Sequence, residues 1–459
     1  MDKLEQEVVP ILILCAAIAL VVSRLPRVEL GHSAAFRRRR VLNWLPLGMT
    51  YAFLYMGRYN FNGLVDGQLI DKTAFGDIDG VGQIVYGLAF LVNGPLSDRL
   101  GGRFAILMAA AGAGACNAAI GISIATSGHA PDYWALMVLN AANMYFQSFG
   151  AVAIVKVNAS WFHLRERGTF GGIFGILISI GIYLAFDWAP KIAELTSLEW
   201  LFLTPAVLLA VMWVLSFRFV RDIPSEAGFA DFDVADASSG ETGPPDPALT
   251  IIKRMLTNKV ILVIASIAFC SGFLRMGILK WHRVFAQGVH VDKGHYAFDH
   301  WGMLSCIAGI CGGMFAGVIS DHVFQSRRPP VATVLFGIAL AGAGTMLVLL
   351  GTPAAVSWIA AFMLMAILGV HGMLSGVASQ DFGGRRNAGT ATGMIDGFVY
   401  FGGALQAFVY GHVLPTGAEA GDQSNWRVWP LAMIPLGVIG LGLSLSVYSA
   451  RVQPRATNH

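Results

Sequence analysis

Thirteen apolar runs follow one another along the 459 residues, and one globular core has no room for so many. A short one covers 8–23; the others lie near 42–64, 80–97, 104–126, 133–157, 168–188, 198–218, 258–283, 300–320, 331–351, 355–378, 389–412 and 428–450. A helix needs about 20 apolar residues to cross the hydrocarbon of a bilayer, and in lipid every backbone polar group must be satisfied within the span. The expected class is therefore an all-α, multi-pass membrane protein with the bilayer as its principal partner. Composition agrees: 55% of residues are hydrophobic and 13% are charged, against roughly 25% charged in soluble proteins.

Function classes fall away on the same reading. A net charge of +3 on scattered basic residues does not suit nucleic acid. The five cysteines, Cys15, Cys116, Cys270, Cys306 and Cys311, lie in apolar segments without CxxC spacing, so neither disulfide nor zinc site is expected. His282, His290, His295 and His300 lack metal-ligand spacing and are expected in a solvated external loop. There is no Walker loop, GxSxG or HExxH, which argues against ATP-driven transport and hydrolysis, and no cofactor or metal is called for.

Charge sets orientation. Arg24, Arg27 and Arg37 to Arg40 precede the second run, and the positive-inside rule puts them in the cytoplasm. Residues 8–23 then read as an additional span starting outside, since the preceding MDKLEQE is too acidic for a signal peptide. Later connections alternate: arginine and lysine gather on one side, and the other has Lys72, Lys191, Lys293 and Arg427 in its loops. The polar stretch with SSGETGPPDP reads as a flexible linker. The expected organisation is an N-terminal segment 1–40, a six-helix bundle 41–221, a linker 222–255, a second six-helix bundle 256–450 and a cytoplasmic tail 451–459.

Two arginines interrupt the apolar pattern. Arg58 sits in LYMGRYNFN and Arg275 in GFLRMGILKW, each in the first span of its half. A guanidinium stays charged at cellular pH and is costly in hydrocarbon, so it needs a carboxylate, a water-filled space or an anionic ligand. GPLSDR (94–99) ends the next span of the first half and GVISDH (317–322) that of the second, which marks an internal repeat. Two halves related by an axis along the membrane normal fit a transporter.

GPLSDRLGGR (94–103) resembles the loop signature of the major facilitator superfamily. Arg58 followed by Asn60, LRMGILKW around Arg275, and the segments from Lys156 to Gly168 and Arg386 to Gly402 look like the organophosphate:phosphate antiporters within it. The resemblance covers residues 42–450 and implies a monomeric inner-membrane protein of a bacterium, a transporter and not an enzyme, that exchanges an organic phosphate or phosphonate for inorganic phosphate. Arg58 and Arg275 would hold the phosphoryl group as bidentate forks. Tyr55, Tyr86, Gln147 and Tyr400 are candidate hydrogen-bond donors, and Lys280 is either a third cationic contact or a partner of Asp396. Asp98, Arg99, Arg103 and Asp321 would serve a cytoplasmic gate. Four positions depart from the glycerol-phosphate transporters: Phe90 and Ile178 stand where those have a lysine and a histidine, Lys280 where they have an acid, and Asp396 where a glycine is expected. Two alternatives stay open: an organic carboxylate transporter of the same fold, and a transporter-like sugar-phosphate sensor.

Overall fold

The computed structural model describes residues 30–66, 69–163, 166–234, 256–291, 294–324, 328–373 and 388–448, with isolated positions 12, 16, 250 and 253. The apolar run 8–23, most of the linker and the tail lie outside the described residues.

Twelve long helices run through the described chain: α1 Ala34–Tyr59, α2 Lys72–Leu100, α3 Gly102–Ser127, α4 Tyr133–Trp161, α5 Arg167–Tyr183, α6 Trp200–Phe219, α7 Lys259–Leu279, α8 Trp301–Val318, α9 Arg328–Leu349, α10 Pro353–His371, α11 Ala388–Val413 and α12 Val428–Ser446. A π-helical turn, Leu184–Trp188, carries α5 on into Ala189–Leu195, and Trp281–Gly288 prolongs α7 beyond an interruption at Lys280. Among the described residues, ten helical stretches are long and apolar enough to cross a membrane. Every regular element among the described residues is helical, as expected of a multi-pass membrane protein.

Local chemistry sets the helix ends. Ser33 caps α1 by accepting from the Phe36 N–H at 3.1 Å, and Asp132 caps α4 through the Ala135 N–H at 2.9 Å. Asp71 caps α2 through the Ala74 N–H at 2.8 Å, so this helix begins two turns before the expected 80. Lys72 is consequently no loop residue: it is buried, and its ammonium donates to the Gly411 carbonyl at 3.1 Å. Gly101, at φ +93°, turns the chain between α2 and α3; a side chain there would be strained and would meet the Asp222 carboxylate at 2.3 Å.

Helices α1 to α6 pack among themselves, as do α7 to α12, and α2 against α11 and α5 against α8 join the two sets. Small residues let backbones approach. A Cβ on Gly76 of α2 would lie 2.6 Å from the Ala407 carbonyl oxygen of α11, and one on Gly272 of α7 would lie 2.0 Å from that of Val399. Because the obstacle at Gly272 is backbone, no rotamer change relieves it. Gly272→Ala is expected to cost about 1–3 kcal/mol, the usual range for overpacking, read as a lower melting temperature in detergent.

Val138, Val214, Val348 and Phe362 are exposed, as expected of side chains that face acyl chains. Cys116, Cys270 and Cys306 are buried free thiols and Cys311 is half-buried. Cys15 lies outside the described residues.

The two sets of helices touch at both ends. At the arginine-rich end, Asp98 of α2 accepts from the Thr390 N–H at 3.0 Å and hydroxyl at 2.9 Å, and pairs with Lys156 at 2.9 Å. At the other end, Asp187 accepts from the Gly302 and Met303 amides at 2.7 and 2.8 Å and so caps α8 from across the interface. Beside it the Arg283 guanidinium donates to the Phe186 carbonyl at 2.6 Å.

His282 corrects an expectation. It is fully buried and not in a solvated loop: its ring stacks on Trp301 at 3.8 Å and its Nε2 lies 2.8 Å from the Ser357 hydroxyl. The helix runs on past Lys280 and carries this histidine inward between α8 and α10.

Candidate functional site

The polar centre of the molecule is assembled around Arg58. The sequence buries it by placing it on the tyrosine-rich face of α1: Tyr51, Tyr55 and Tyr59 recur every fourth residue and are all buried. Each guanidinium nitrogen donates to a neutral partner. Nε reaches Gln147 Oε1 at 2.7 Å, Nη2 reaches the Tyr86 hydroxyl at 3.0 Å, and Nη1 reaches the Tyr400 hydroxyl of α11. The guanidinium carbon also lies 4.6 Å from the ring centres of both Tyr55 and Tyr86.

Buried amides hold this arrangement. Gln147 donates to Asn143 Oδ1 at 2.9 Å; Asn143 and Asn117 donate to the Gly57 carbonyl at 3.0 and 3.1 Å; Asn60 donates to Asn117 Oδ1 at 3.0 Å. The network fixes the carbonyl next to Arg58 and links α1, α3 and α4. Asn117 and Asn143 were not singled out in the sequence, although an asparagine inside an apolar span is itself a signal of interhelical hydrogen bonding. Gln147→Ala removes the brace on Nε, a hydrogen bond to a charged group worth about 1.5–3 kcal/mol, and is expected to raise the half-saturating substrate concentration by about 10- to 100-fold.

Arg275 comes from α7 and is equally buried. Its Nε and Nη2 have no hydrogen-bond partner, and among the described residues neither it nor Arg58 forms a salt bridge. The groups that act on it electrostatically are Tyr59, Tyr400, Tyr55 and Asp396, three of which also act on Arg58. Tyr59 of α1 links the two regions, its hydroxyl lying 3.6 Å from the sulfur of Met276, the residue after Arg275. Asp396 is half-buried one helical turn before Tyr400 on α11, and His371 of α10 lies within the field of Arg275.

Lys280 has a partner that sequence reading missed. Its ammonium pairs with Asp79 of α2 at 2.5 Å, both side chains being buried. Asp79 Oδ2 also accepts from Gln83 at 2.7 Å. Asp79 lies one residue before the run expected from 80; the early start of α2 places it two turns inside the helix. Lys280 therefore ties α7 to α2.

The remaining sequence candidates lie at the arginine-rich end. Asp98 bridges α2, α4 and α11 through Lys156 and Thr390. Arg99 is exposed. Arg103 turns to its own bundle, donating from Nη2 to the Phe217 carbonyl at 2.6 Å, while its amide is capped by Asp222 at 2.8 Å. Burial pushes the Asp222 carboxyl up, and the Arg103 amide opposes that rise. Asp321 lies in the π-helical turn Ile319–Val323 that follows α8; its side chain lies outside the described residues. Thr390→Val keeps the shape and the amide contact but removes the hydroxyl bond to Asp98. At about 1 kcal/mol per hydrogen bond, the population open at this end is expected to rise about fivefold, read by labelling of cysteines introduced along α11.

Comparison with known proteins places this geometry. The family model described as Major Facilitator Superfamily matches residues 47–407. The chain is 26% identical to the "Glycerol-3-phosphate transporter" of Bacillus subtilis, over 86% of this chain and 89% of that protein. It is 24% identical to a "Probable hexose phosphate transport protein" of Chlamydia pneumoniae, over 87% and 89%. It is also 24% identical to the "Membrane sensor protein UhpC" of Salmonella typhimurium, over 84% and 87%. Among solved structures, a bacterial homologue of the human lysosomal transporter Spinster in an inward-facing, unoccupied conformation superposes with a TM-score of 0.65 at 13% identity, over 92% of this chain and all of that one. With a family match across more than three quarters of its length, the chain belongs to the major facilitator superfamily, a family of membrane transporters.

Proposed function

We propose that this protein is a secondary transporter that exchanges an organic phosphate, of the glycerol-phosphate, sugar-phosphate or phosphonate type, for inorganic phosphate. The observation that carries the reading is the pair of buried guanidiniums offered from opposite halves, Arg58 cradled by neutral acceptors and Arg275 with two nitrogens unsatisfied among the described residues. A buried cation without a carboxylate partner is costly, and a doubly charged phosphoryl group supplies the missing charge with several acceptor oxygens. The relatives named for glycerol-3-phosphate and hexose phosphate transport support the same chemistry.

In this mechanism the phosphoryl group sits between the two forks, taking donors from Arg58 and Arg275, while Tyr55, Tyr86, Gln147 and Tyr400 orient Arg58 or meet oxygens of the ligand. Without an anion the two cations repel, so closing both halves around the empty site is slow; with it they are drawn together and the halves rock. Obligatory exchange follows. Asp98 with Thr390 latches one end and Asp187 the other, so that opening at either end breaks the contacts there. Counterflow of radiolabelled phosphate in proteoliposomes, against a panel of phosphate esters, phosphonates and carboxylates, tests this. Esters or phosphonates should drive uptake, whereas dependence on carboxylates alone would assign the same arginines to an organic carboxylate.

A second reading rests on the relative named as a membrane sensor: the same site would bind a sugar phosphate and signal to a membrane partner. Ligand binding with no counterflow distinguishes it.

A further inference from the structure

Four arginines gather around the last turn of α6, away from the central site. Arg39 Nη2 donates to the Phe219 carbonyl at 2.8 Å, Arg103 Nη2 to that of Phe217 at 2.6 Å, and Arg221 Nη1 to that of Val220 at 2.7 Å. Among the described residues the Arg218 guanidinium makes no hydrogen bond, and it rests over the ring of Phe219 at 5.5 Å. Capping of helix carbonyls explains part of the cluster, but a helix C-terminus offers only about half an elementary negative charge.

Acids do not make up the difference. Asp222 and Glu226 turn to backbone, accepting from the Arg103 and Asp222 amides at 2.8 and 3.1 Å. Among the described residues none of the four arginines forms a salt bridge. Counting both carboxylates and the helix end, the cluster keeps a positive excess. Two of its donors are also buried without an acceptor, Arg39 Nη1 and Arg103 Nε. Burial and the charges of Arg221 and Arg218 pull the Arg39 pKa down, which marks the same uncompensated field.

Directly beside the cluster along α6, Val207, Val211, Val214 and Phe217 are exposed at helical spacing, and Val41, Leu42 and Leu45 are exposed on the adjoining α1. An apolar track thus leads from the bilayer side to a positively charged end on the face that the arginine distribution assigns to the cytoplasm. We propose that the α1–α6 edge binds an anionic phospholipid of the inner leaflet, its phosphodiester held by Arg39, Arg103, Arg218 and Arg221 and one acyl chain lying along the exposed valines of α6. Orientation alone asks for positive charge near this face; it does not ask for buried guanidinium nitrogens that lack acceptors.

The full-length protein in detergent is titrated with phosphatidylglycerol, with phosphatidylcholine and with inorganic phosphate at matched concentration, and bound lipid is counted by native mass spectrometry alongside melting temperature. Wild type should retain phosphatidylglycerol about tenfold better than phosphatidylcholine. Each arginine removed should cost about fivefold in retention, the effect of one basic residue near an anionic lipid. Arg218→Gln, which disturbs no hydrogen bond, should show that single step, and Arg39→Gln with Arg218→Gln and Arg221→Gln about a hundredfold. Inorganic phosphate should not compete, because it has no acyl chain. Equal retention of the two lipids, an Arg218→Gln protein that binds as wild type does, or displacement of lipid by phosphate alone would overturn the proposal.

Discussion

Replacing either Arg58 or Arg275 with lysine is expected to lower phosphate counterflow at least about a hundredfold, although the positive charge is kept. An ammonium is a single point charge and cannot reproduce the planar fork, which presents paired donors in fixed geometry. At Arg58 the loss is compounded. Its Nε, Nη1 and Nη2 each satisfy a different neighbour, Gln147, Tyr400 and Tyr86, and one lysine nitrogen cannot reach all three. At Arg275 two nitrogens have no hydrogen bond to lose among the described residues, so Arg275→Lys should leave the melting temperature close to wild type while abolishing exchange. Arg58→Lys should lower both. Initial rates of counterflow and melting curves for the two variants check this asymmetry.

Breaking the Lys280–Asp79 pair is expected to have the largest effect on stability. Removing one member of a buried ion pair costs about 3–5 kcal/mol because the other charge is left without compensation. In Asp79→Asn the stranded ammonium also lies in the field of Arg58 and Arg275, so that variant should accumulate poorly and melt far below wild type. Replacing both members with apolar residues of similar volume is often neutral or stabilising, so Asp79→Leu with Lys280→Met should recover most of the loss. Single variants within about 1 kcal/mol of wild type would show that the pair contributes little to stability. Because the pair joins α2 to α7 across the two halves, the double variant also reports whether the tie restrains opening: its exchange rate should rise if the tie is broken during transport.

The helical architecture is legible in the sequence because bilayer thickness and backbone satisfaction leave few choices, and twelve of the thirteen expected runs fall on described helices. Arg58 and Arg275 stand out for the same reason, as charges in a solvent that penalises them, at matched places in a repeat. What the sequence does not show is pairing across the two halves. Lys280, expected either at the ligand or against Asp396, pairs instead with Asp79, which the Asp71 cap brings inside α2 ahead of the expected start at 80. His282 looked like one of several loop histidines until Trp301 and Ser357 enclosed it. The Asn60, Asn117 and Asn143 network behind Arg58 connects helices far apart in the chain, and no local pattern marks which amides will meet. Asp396 beside Arg275 and His371 in its field are likewise products of packing.

The most direct test of the two-arginine phosphoryl site is phosphate uptake into proteoliposomes that are either preloaded with phosphate or empty. Rapid uptake of radiolabelled phosphate into preloaded vesicles, little into empty ones, and loss of that uptake in both Arg58→Lys and Arg275→Lys is the predicted result. Fast net uptake into empty vesicles would contradict obligatory exchange, and full counterflow in both lysine variants would contradict the site itself.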